Sequence, residues 1–406
     1  MDRFEIIQYI VKWIPFSIVV GIATGIMASI FDYTIVEINK NIIANKKICV
    51  IFPLSVGIIT GLIIHRFPGV SGPGINYIIW HLREKGRIPA ICMLAKFVTS
   101  ALALSGAFLA GREGPSFYIG AGVGEWLGKI FKITEKEKKY TALIGAGAFT
   151  GALFKAPLGG AIFALEIGYL YDIEYKPFGQ TLIASVISYS IFSWFRGMHP
   201  FIEINTIPVW NIKHIPYFVL TGMVASAITY LFAIHYSLLN RISLSIKPII
   251  RPIIGTVMAI PLLIFIISIT NIHLLSLPVN YTPLTNLIEY IYPVWELLLI
   301  IVVTILFISL TLGFGISGGL ILPNLLIGAA IGNIFGHIFP GEIATFVMAG
   351  MGSSLAASAK TPLAAIVLLT EMSGTNVVIP MAVAVITSYI FSFGISMYKA
   401  QQIMRS

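Results

Sequence analysis

Hydrophobic positions in this chain come in long blocks, not in strict alternation or a single helical stripe. The stretches from Trp13 to Asn39, Ile215 to Leu239, Ile249 to Thr270 and Val294 to Leu312 are predominantly apolar. A helix needs about 20 residues to cross a hydrocarbon core, so these four stretches predict membrane helices. Ser71 to Trp80 and Gly318 to Gly328 are shorter apolar runs punctuated by Gly and Pro. They predict broken helices that begin inside the membrane, which is the texture of transporters and not of simple bundles. Polar breaks at Lys40 to Lys47, His81 to Arg87, Lys129 to Lys139 and Arg241 to Arg251 separate the blocks. Such charge runs predict solvated loops at the membrane surface. The expected fold class is an all-α polytopic membrane protein.

A second pattern lies across the chain. Shifted by 208 positions, IGAGVGEWLGKIF (Ile119 to Phe131) falls on IGAAIGNIFGHIF (Ile327 to Phe339) with 7 of 13 residues identical, and Pro115 falls on Pro323. Shifted by 205, Gly145, Gly147, Ala152, Lys155, Pro157, Leu158 and Glu166 fall on Gly350, Gly352, Ala357, Lys360, Pro362, Leu363 and Glu371. Two segments repeating in one order predict two related halves, roughly 50–196 and 247–398, preceded by a membrane helix near 13–39. Repeats of opposite orientation bring corresponding broken helices to the membrane midplane, where substrate sites of transporters lie. The small residues of the repeated stretches also suit close helix packing in lipid.

Composition agrees with the block pattern. Of 406 residues, 57% are hydrophobic and 11% charged, and the mean hydropathy is +0.92, beyond the range of water-soluble globular domains. Lys and Arg outnumber Asp and Glu by 26 to 17, but no basic and aromatic residues are laid out as a nucleic-acid groove. Cys49 and Cys92 stand apart from any metal-ligand spacing, so neither a disulfide framework nor a metal site is expected. The first 15 residues contain Asp2, Arg3, Glu5 and Lys12 and no cleavable apolar core, so the first membrane helix is expected to serve as its own targeting signal. HExxH and a Cys pair are missing, which argues against a membrane enzyme.

The candidate chemistry lies in three breaks, each preceding an apolar helical run: Ser71-Gly72-Pro73-Gly74-Ile75, Gly111-Arg112-Glu113-Gly114-Pro115 and Gly318-Gly319-Leu320-Ile321-Leu322-Pro323. Free N–H groups and the positive dipole end at a helix start bind anions without a full charge to trap them. A conducted ion must also be able to leave. Glu113 is the leading candidate residue, because a carboxylate inside a membrane is costly and by default functional; the alternative is a structural ion pair with Arg112.

GREGP at 111–115, SGPGI at 71–75 and GGLILP at 318–323 resemble, in that order, the signatures of the CLC family of chloride channels and anion/proton antiporters. The resemblance runs from about Val50 to Tyr398 and includes KAPLGGAIFALE from Lys155 to Glu166. It implies a CLC fold of two inverted repeats and a homodimer with one anion pathway per subunit. It implies a carboxylate at Glu113 that occupies an anion site and swings away when protonated, gating anions and carrying protons, so acid pH should increase flux. Gly72, Pro73, Gly74, Leu320, Ile321 and Tyr398 are the implied anion-binding positions. Tyr398, in GISMY, matches the late tyrosine whose hydroxyl coordinates the central anion; an interfacial anchor is its other reading. The chain reaches Ser406 soon after Tyr398, so no cytoplasmic nucleotide-sensing (CBS) domain is expected.

Several positions depart from the family pattern. Pro73 stands where chloride-selective members often have Ser, and members with Pro there tend to favour nitrate; Pro as an ordinary helix-start residue is the alternative. Asn76 replaces a usual Pro, and Ile321 replaces a frequent Phe. Proton-coupled members commonly carry two consecutive acids where this chain has Glu166 and Ile167, the second being the inner proton-transfer group. Neighbours on a helix point about 100° apart, so Glu166 does not simply take over that role. Glu166 is otherwise a structural acid matched by Glu371. Lys155 and Lys360 either add positive potential to an inner vestibule or snorkel to a membrane surface.

The expected function is transport of chloride, with nitrate as the alternative anion, through a pore gated by Glu113 and exchanging against protons. Passive chloride conduction is the alternative within the family, and an inverted-repeat carrier or membrane enzyme for an organic substrate the alternative outside it. No cofactor is expected beyond the transported anion. The expected partners are the anion, protons, lipid and a second copy, and the expected location is the plasma membrane.

Overall fold

The computed structural model describes residues 3–43, 46–84, 87–106, 108–202, 204, 209–269, 282–374 and 377–404. Of the positions singled out above, Asp2, Ala44, Asn45, Lys85, Gly86, Thr270 and Ser406 lie outside them.

Sixteen α-helices are described, and the only β pairing among the described residues is two isolated bridges, Gly111 with Gly319 and Tyr169 with Gln402. The first eight helices are α1 (Arg3–Ile43), α2 (Lys46–Arg66), α3 (Ile75–Arg83), α4 (Ala90–Leu104), α5 (Glu113–Ile130), α6 (Lys138–Leu153), α7 (Pro157–Glu166) and α8 (Phe178–Arg196). The second eight are α9 (Ile215–Ser243), α10 (Arg251–Ile269), α11 (Thr282–Glu289), α12 (Val294–Thr311), α13 (Ile321–Ile338), α14 (Ile343–Ala359), α15 (Pro362–Ser373) and α16 (Val378–Phe391). Long and short helices recur in the same order, and so do their packing partners. α5 packs on α6 as α13 does on α14, α1 on α8 as α9 on α16, and α6 on α8 as α14 on α16. The contacts of α2 with α10 and of α7 with α15 join the two sets. This correspondence of order and packing takes in α1 and α9, a wider extent than the 50–196 and 247–398 read from sequence.

Among the described residues, five helical segments are long and apolar enough to cross a membrane: Val11–Ile42, Phe178–Arg196, Ile212–Ser243, Val294–Thr311 and Ile321–Ile338. Two differ from the sequence expectation. α8 was not among the predicted spans, because Gln180 and four Ser residues dilute its hydropathy, yet Gln180, Ser185, Ser188 and Ser193 are buried against neighbouring helices. The short run read as Gly318 to Gly328 belongs to a helix that starts at Ile321 and continues to Ile338, because its glycines are packing positions.

A β-carbon built on Gly120 would lie 2.3 Å from the Gly145 carbonyl oxygen, and one on Gly145 would lie 2.1 Å from that of Gly120. In the second half, a β-carbon on Gly328 would lie 2.3 Å from the Gly350 oxygen and one on Gly350 would lie 2.2 Å from that of Gly328. The repeated glycines are therefore the points where paired helix backbones touch, which in lipid replaces a hydrophobic driving force.

The halves also exchange helix caps. Glu166, the last residue of α7, accepts hydrogen bonds from the N–H groups of Leu363 (3.1 Å) and Ala364 (2.8 Å) at the start of α15. Glu371 in α15 accepts from Leu158 (3.3 Å) and Gly159 (2.7 Å) at the start of α7. These first-turn N–H groups have no intrahelical acceptor. Glu166 thus has a structural role, matched by Glu371.

Candidate anion pathway

The backbone at Gly111 and Gly319 sets the centre of the site. Each donates its N–H to the other's carbonyl, Gly111 N to Gly319 O at 2.9 Å and the reverse at 2.6 Å. This two-residue pairing lays the N-termini of α5 and α13 side by side. Glu113 is the first residue of α5 and Ile321 the first of α13, with Arg112 and Leu320 as their N-caps. The Glu113 carboxylate lies against both bridged glycines: a β-carbon at Gly111 would sit 1.8 Å from Oε2, and one at Gly319 would sit 2.3 Å from it. Any larger residue at either position would displace the carboxylate.

Glu113 is buried at 1% exposure, and neither carboxylate oxygen has a hydrogen-bond partner among the described residues, although the N–H groups of Glu113 and Leu322 face it. The ion pair with Arg112 considered from sequence is not formed. The Arg112 guanidinium instead donates to Asp32 of α1, whose other oxygen accepts from Arg196 at the end of α8.

The third break reaches the same place from α3. Gly72 and Gly74 both have positive φ, 59° and 81°, so the loop turns sharply on either side of Pro73. Gly74 is the N-cap of α3 and Ile75 its first residue, so Pro73 precedes the helix and is not its N1 residue. The Pro73 carbonyl packs against Gly114, where a β-carbon would lie 2.4 Å from it. Asn76, in place of the family's usual Pro, accepts through its side-chain oxygen from the Ala400 N–H at 3.1 Å, tying this helix to the segment after Tyr398.

Tyr398 is 1% exposed, and its hydroxyl is buried without a partner among the described residues. Glu113 and Tyr236 lie within electrostatic range of it. Burial at that depth removes the interfacial-anchor reading. Gly72, Pro73, Gly74, Leu320, Ile321, Glu113 and Tyr398 are therefore gathered by three helix starts and one late segment. Below them, a cavity of about 250 Å³ is lined by Ser71 to Gly74, Tyr236, Met397 and Lys399, among others.

Ile167 is elsewhere. It caps α7, is fully buried, and faces a second cavity of about 410 Å³ lined also by Phe117, His81, Glu125, Glu135 and Glu174. Neither Lys155 nor Lys360 lines these two cavities. Lys155 donates to the His199 carbonyl at 2.9 Å, and Lys360 is buried, bonded to the Ser392 hydroxyl and placed over the Tyr389 ring.

Lys96 is the charged residue at the site that the sequence reading missed. It is fully buried in α4 and donates to the carbonyls of Val70, at 3.0 Å, and Gly72, with its ammonium over the Tyr118 ring. Its signal was available as the single charge within AICMLAKFVTSALAL, since an ionised residue inside an apolar helix is functional by default. Through these two carbonyls it holds the Gly72 turn from behind.

A polytopic helical membrane protein whose broken helices meet around a buried carboxylate has the architecture of a membrane transporter. Residues 56–392 match the family described as voltage gated chloride channel, and the chain belongs to this CLC family of membrane channels and transporters, which are not enzymes. An uncharacterized protein of Methanocaldococcus jannaschii is 27% identical over 382 residues, covering 94% of this chain and 93% of that one. An H(+)/Cl(-) exchange transporter of Citrobacter koseri is also 27% identical, over 90% of this chain and 82% of its own. Among solved structures, that of a CLC-type fluoride/proton antiporter superposes with a TM-score of 0.82 at 21% identity, covering 100% of both chains. The chain is thus an integral membrane protein of anion transport.

Proposed function

We propose that this chain exchanges chloride against protons across the plasma membrane, that Glu113 is its gate, and that the anion passes the cradle formed by Gly72 to Gly74, Leu320, Ile321 and Tyr398. The carrying observation is the Glu113 carboxylate, buried without an ion-pair or hydrogen-bond partner among the described residues where helix N-termini converge. A desolvated carboxylate with no partner is unfavourable. Either a proton neutralises it, or it moves out and an anion takes its place among the donors. Anion and ionised carboxylate compete for one position, so protonation of Glu113 and anion occupancy favour each other. The Citrobacter koseri relative's printed activity supports the exchange reading, and a second copy with its own pathway completes the unit implied by the family resemblance.

Ile167 cannot carry a proton. The larger cavity offers a substitute route, because water there would reach Phe117, one helical turn beyond Glu113 on α5, past the acids Glu125 and Glu174. Passive conduction is the second reading, and the apolar Ile167 is the observation that favours it.

The test is anion efflux from proteoliposomes at neutral and acid pH. Flux by the native protein should rise on acidification, while Glu113→Gln, which mimics the protonated carboxyl, should pass anions at a rate independent of pH. A pH-dependent Glu113→Gln would remove Glu113 as the gate. Nitrate is the alternative cargo through Pro73: Pro73→Ser should lower nitrate uptake relative to chloride, and equal uptake of both ions by the native protein would remove the nitrate preference.

A further inference from the structure

Pro73 leaves the anion cradle short of a donor, since it has neither the hydroxyl of the family's usual Ser nor an N–H. The structure places another hydroxyl opposite that gap. Tyr236 lies on α9, far from all three signature segments in sequence, and is 8% exposed. A β-carbon built on Gly72 would lie 3.9 Å from its hydroxyl oxygen. The ring lines the cavity of about 250 Å³ that opens beneath Gly72, Pro73 and Gly74, and no hydrogen bond to its hydroxyl is formed among the described residues. Tyr236 is also within electrostatic range of Tyr398, whose own hydroxyl is buried and unpartnered. Two phenols, one from α9 and one from the segment that follows α16, therefore converge on one polar gap, Tyr236 lining the cavity and Tyr398 within electrostatic range of both Tyr236 and Glu113.

We infer that Tyr236 is an anion-binding residue of this pathway, its hydroxyl donating to the anion as it passes between the cavity and the Tyr398 position and supplying the hydrogen bond that Pro73 cannot. The inference rests on the anion-pathway reading above and adds a specificity-determining residue to it. The Tyr236 side chain lines the cavity with no hydrogen bond from its hydroxyl among the described residues, so that hydroxyl is available to donate to an ion in the cavity. An anion accepting from neutral O–H donors is held without a full countercharge, which keeps release fast enough for transport. The phenol reaches the loop from α9, so the donor sits one side chain's length from the backbone and is set by helix packing.

Tyr236→Phe keeps the ring and deletes the donor. Chloride binding to the purified native protein and the variant, measured by isothermal titration calorimetry, should weaken about tenfold on losing one hydrogen bond to a charged group. Pro73→Ser in the Tyr236→Phe background should recover most of that loss, a result that repacking of the ring alone would not give. Native affinity in a folded Tyr236→Phe, or a loss that Pro73→Ser does not recover, would overturn the assignment. Should Tyr236→Phe not fold, bromide located by anomalous scattering in crystals of the native protein decides. A peak within hydrogen-bond reach of the Tyr236 hydroxyl supports the inference, and bromide at Tyr398 with none at Tyr236 overturns it. A native protein that passes no small anion in liposomes would instead overturn the function on which the inference rests.

Discussion

Asp32 sits within the first apolar helix, where a carboxylate needs partners, and it has two, Arg112 and Arg196. Its side chain is 7% exposed and that of Arg112 is 3% exposed, so removing the acid takes the negative charge out of a buried ion-pair network between two guanidinium groups. Asp32→Asn should lower stability by about 3 kcal/mol, read as a lower melting temperature in detergent, since breaking a buried pair costs more than the pair contributes. An unchanged melting temperature would mean that Arg112 finds another acceptor. Glu113 was legible in the sequence because its motif and its cost in lipid point the same way. Lys96, the single charge of α4, and Asp32, a charge within the apolar body of α1, carried the same cost in lipid without a motif to draw attention to them. Tyr236 carried none: with 17 tyrosines in the chain, only the packing of α9 against the SGPGI loop distinguishes it.

Between helices, the matched glycines and acids found by sliding the chain on itself proved to be contact points, for a reason sequence could not supply. Gly120 and Gly145 match Gly328 and Gly350 because each pair lets two backbones meet, and Glu166 matches Glu371 because each caps the other's helix. Glu166→Ala should cost about 2 kcal/mol by freeing two first-turn N–H groups, with Glu166→Gln costing less because an amide oxygen still accepts one of them. Thermal unfolding that ranks Gln at or below Ala would contradict the cap. Gly145→Ala should also destabilise, by about 2 kcal/mol, because its methyl would enter the Gly120 carbonyl and force α5 and α6 apart. Element boundaries were the less legible part. Apolar content marked the helices of highest hydropathy, whereas α8 and the far end of α13 depend on burying Ser, Gln and Asn against neighbours. Asn333 in α13, for example, donates to the carbonyls of Leu287 and Tyr290, at 2.6 and 2.7 Å.

For the whole molecule, the fold brings residues from positions 72, 113, 320 and 398 of the chain together and leaves two cavities, both lined in part by α3. The smaller cavity leads to the anion cradle and the larger to Ile167 and Phe117. Separate routes for anion and proton that join near Glu113 are what exchange requires, whereas a passive pore needs only the first. The decisive measurement is made on native protein in liposomes loaded with chloride, with an outward chloride gradient imposed and the external pH recorded with and without a protonophore. The account predicts proton uptake against the proton gradient, driven by chloride efflux, collapsed by the protonophore and abolished in Glu113→Gln while chloride still flows. Chloride efflux that needs an added counter-ion shunt and moves no protons would contradict it and make the protein a passive channel.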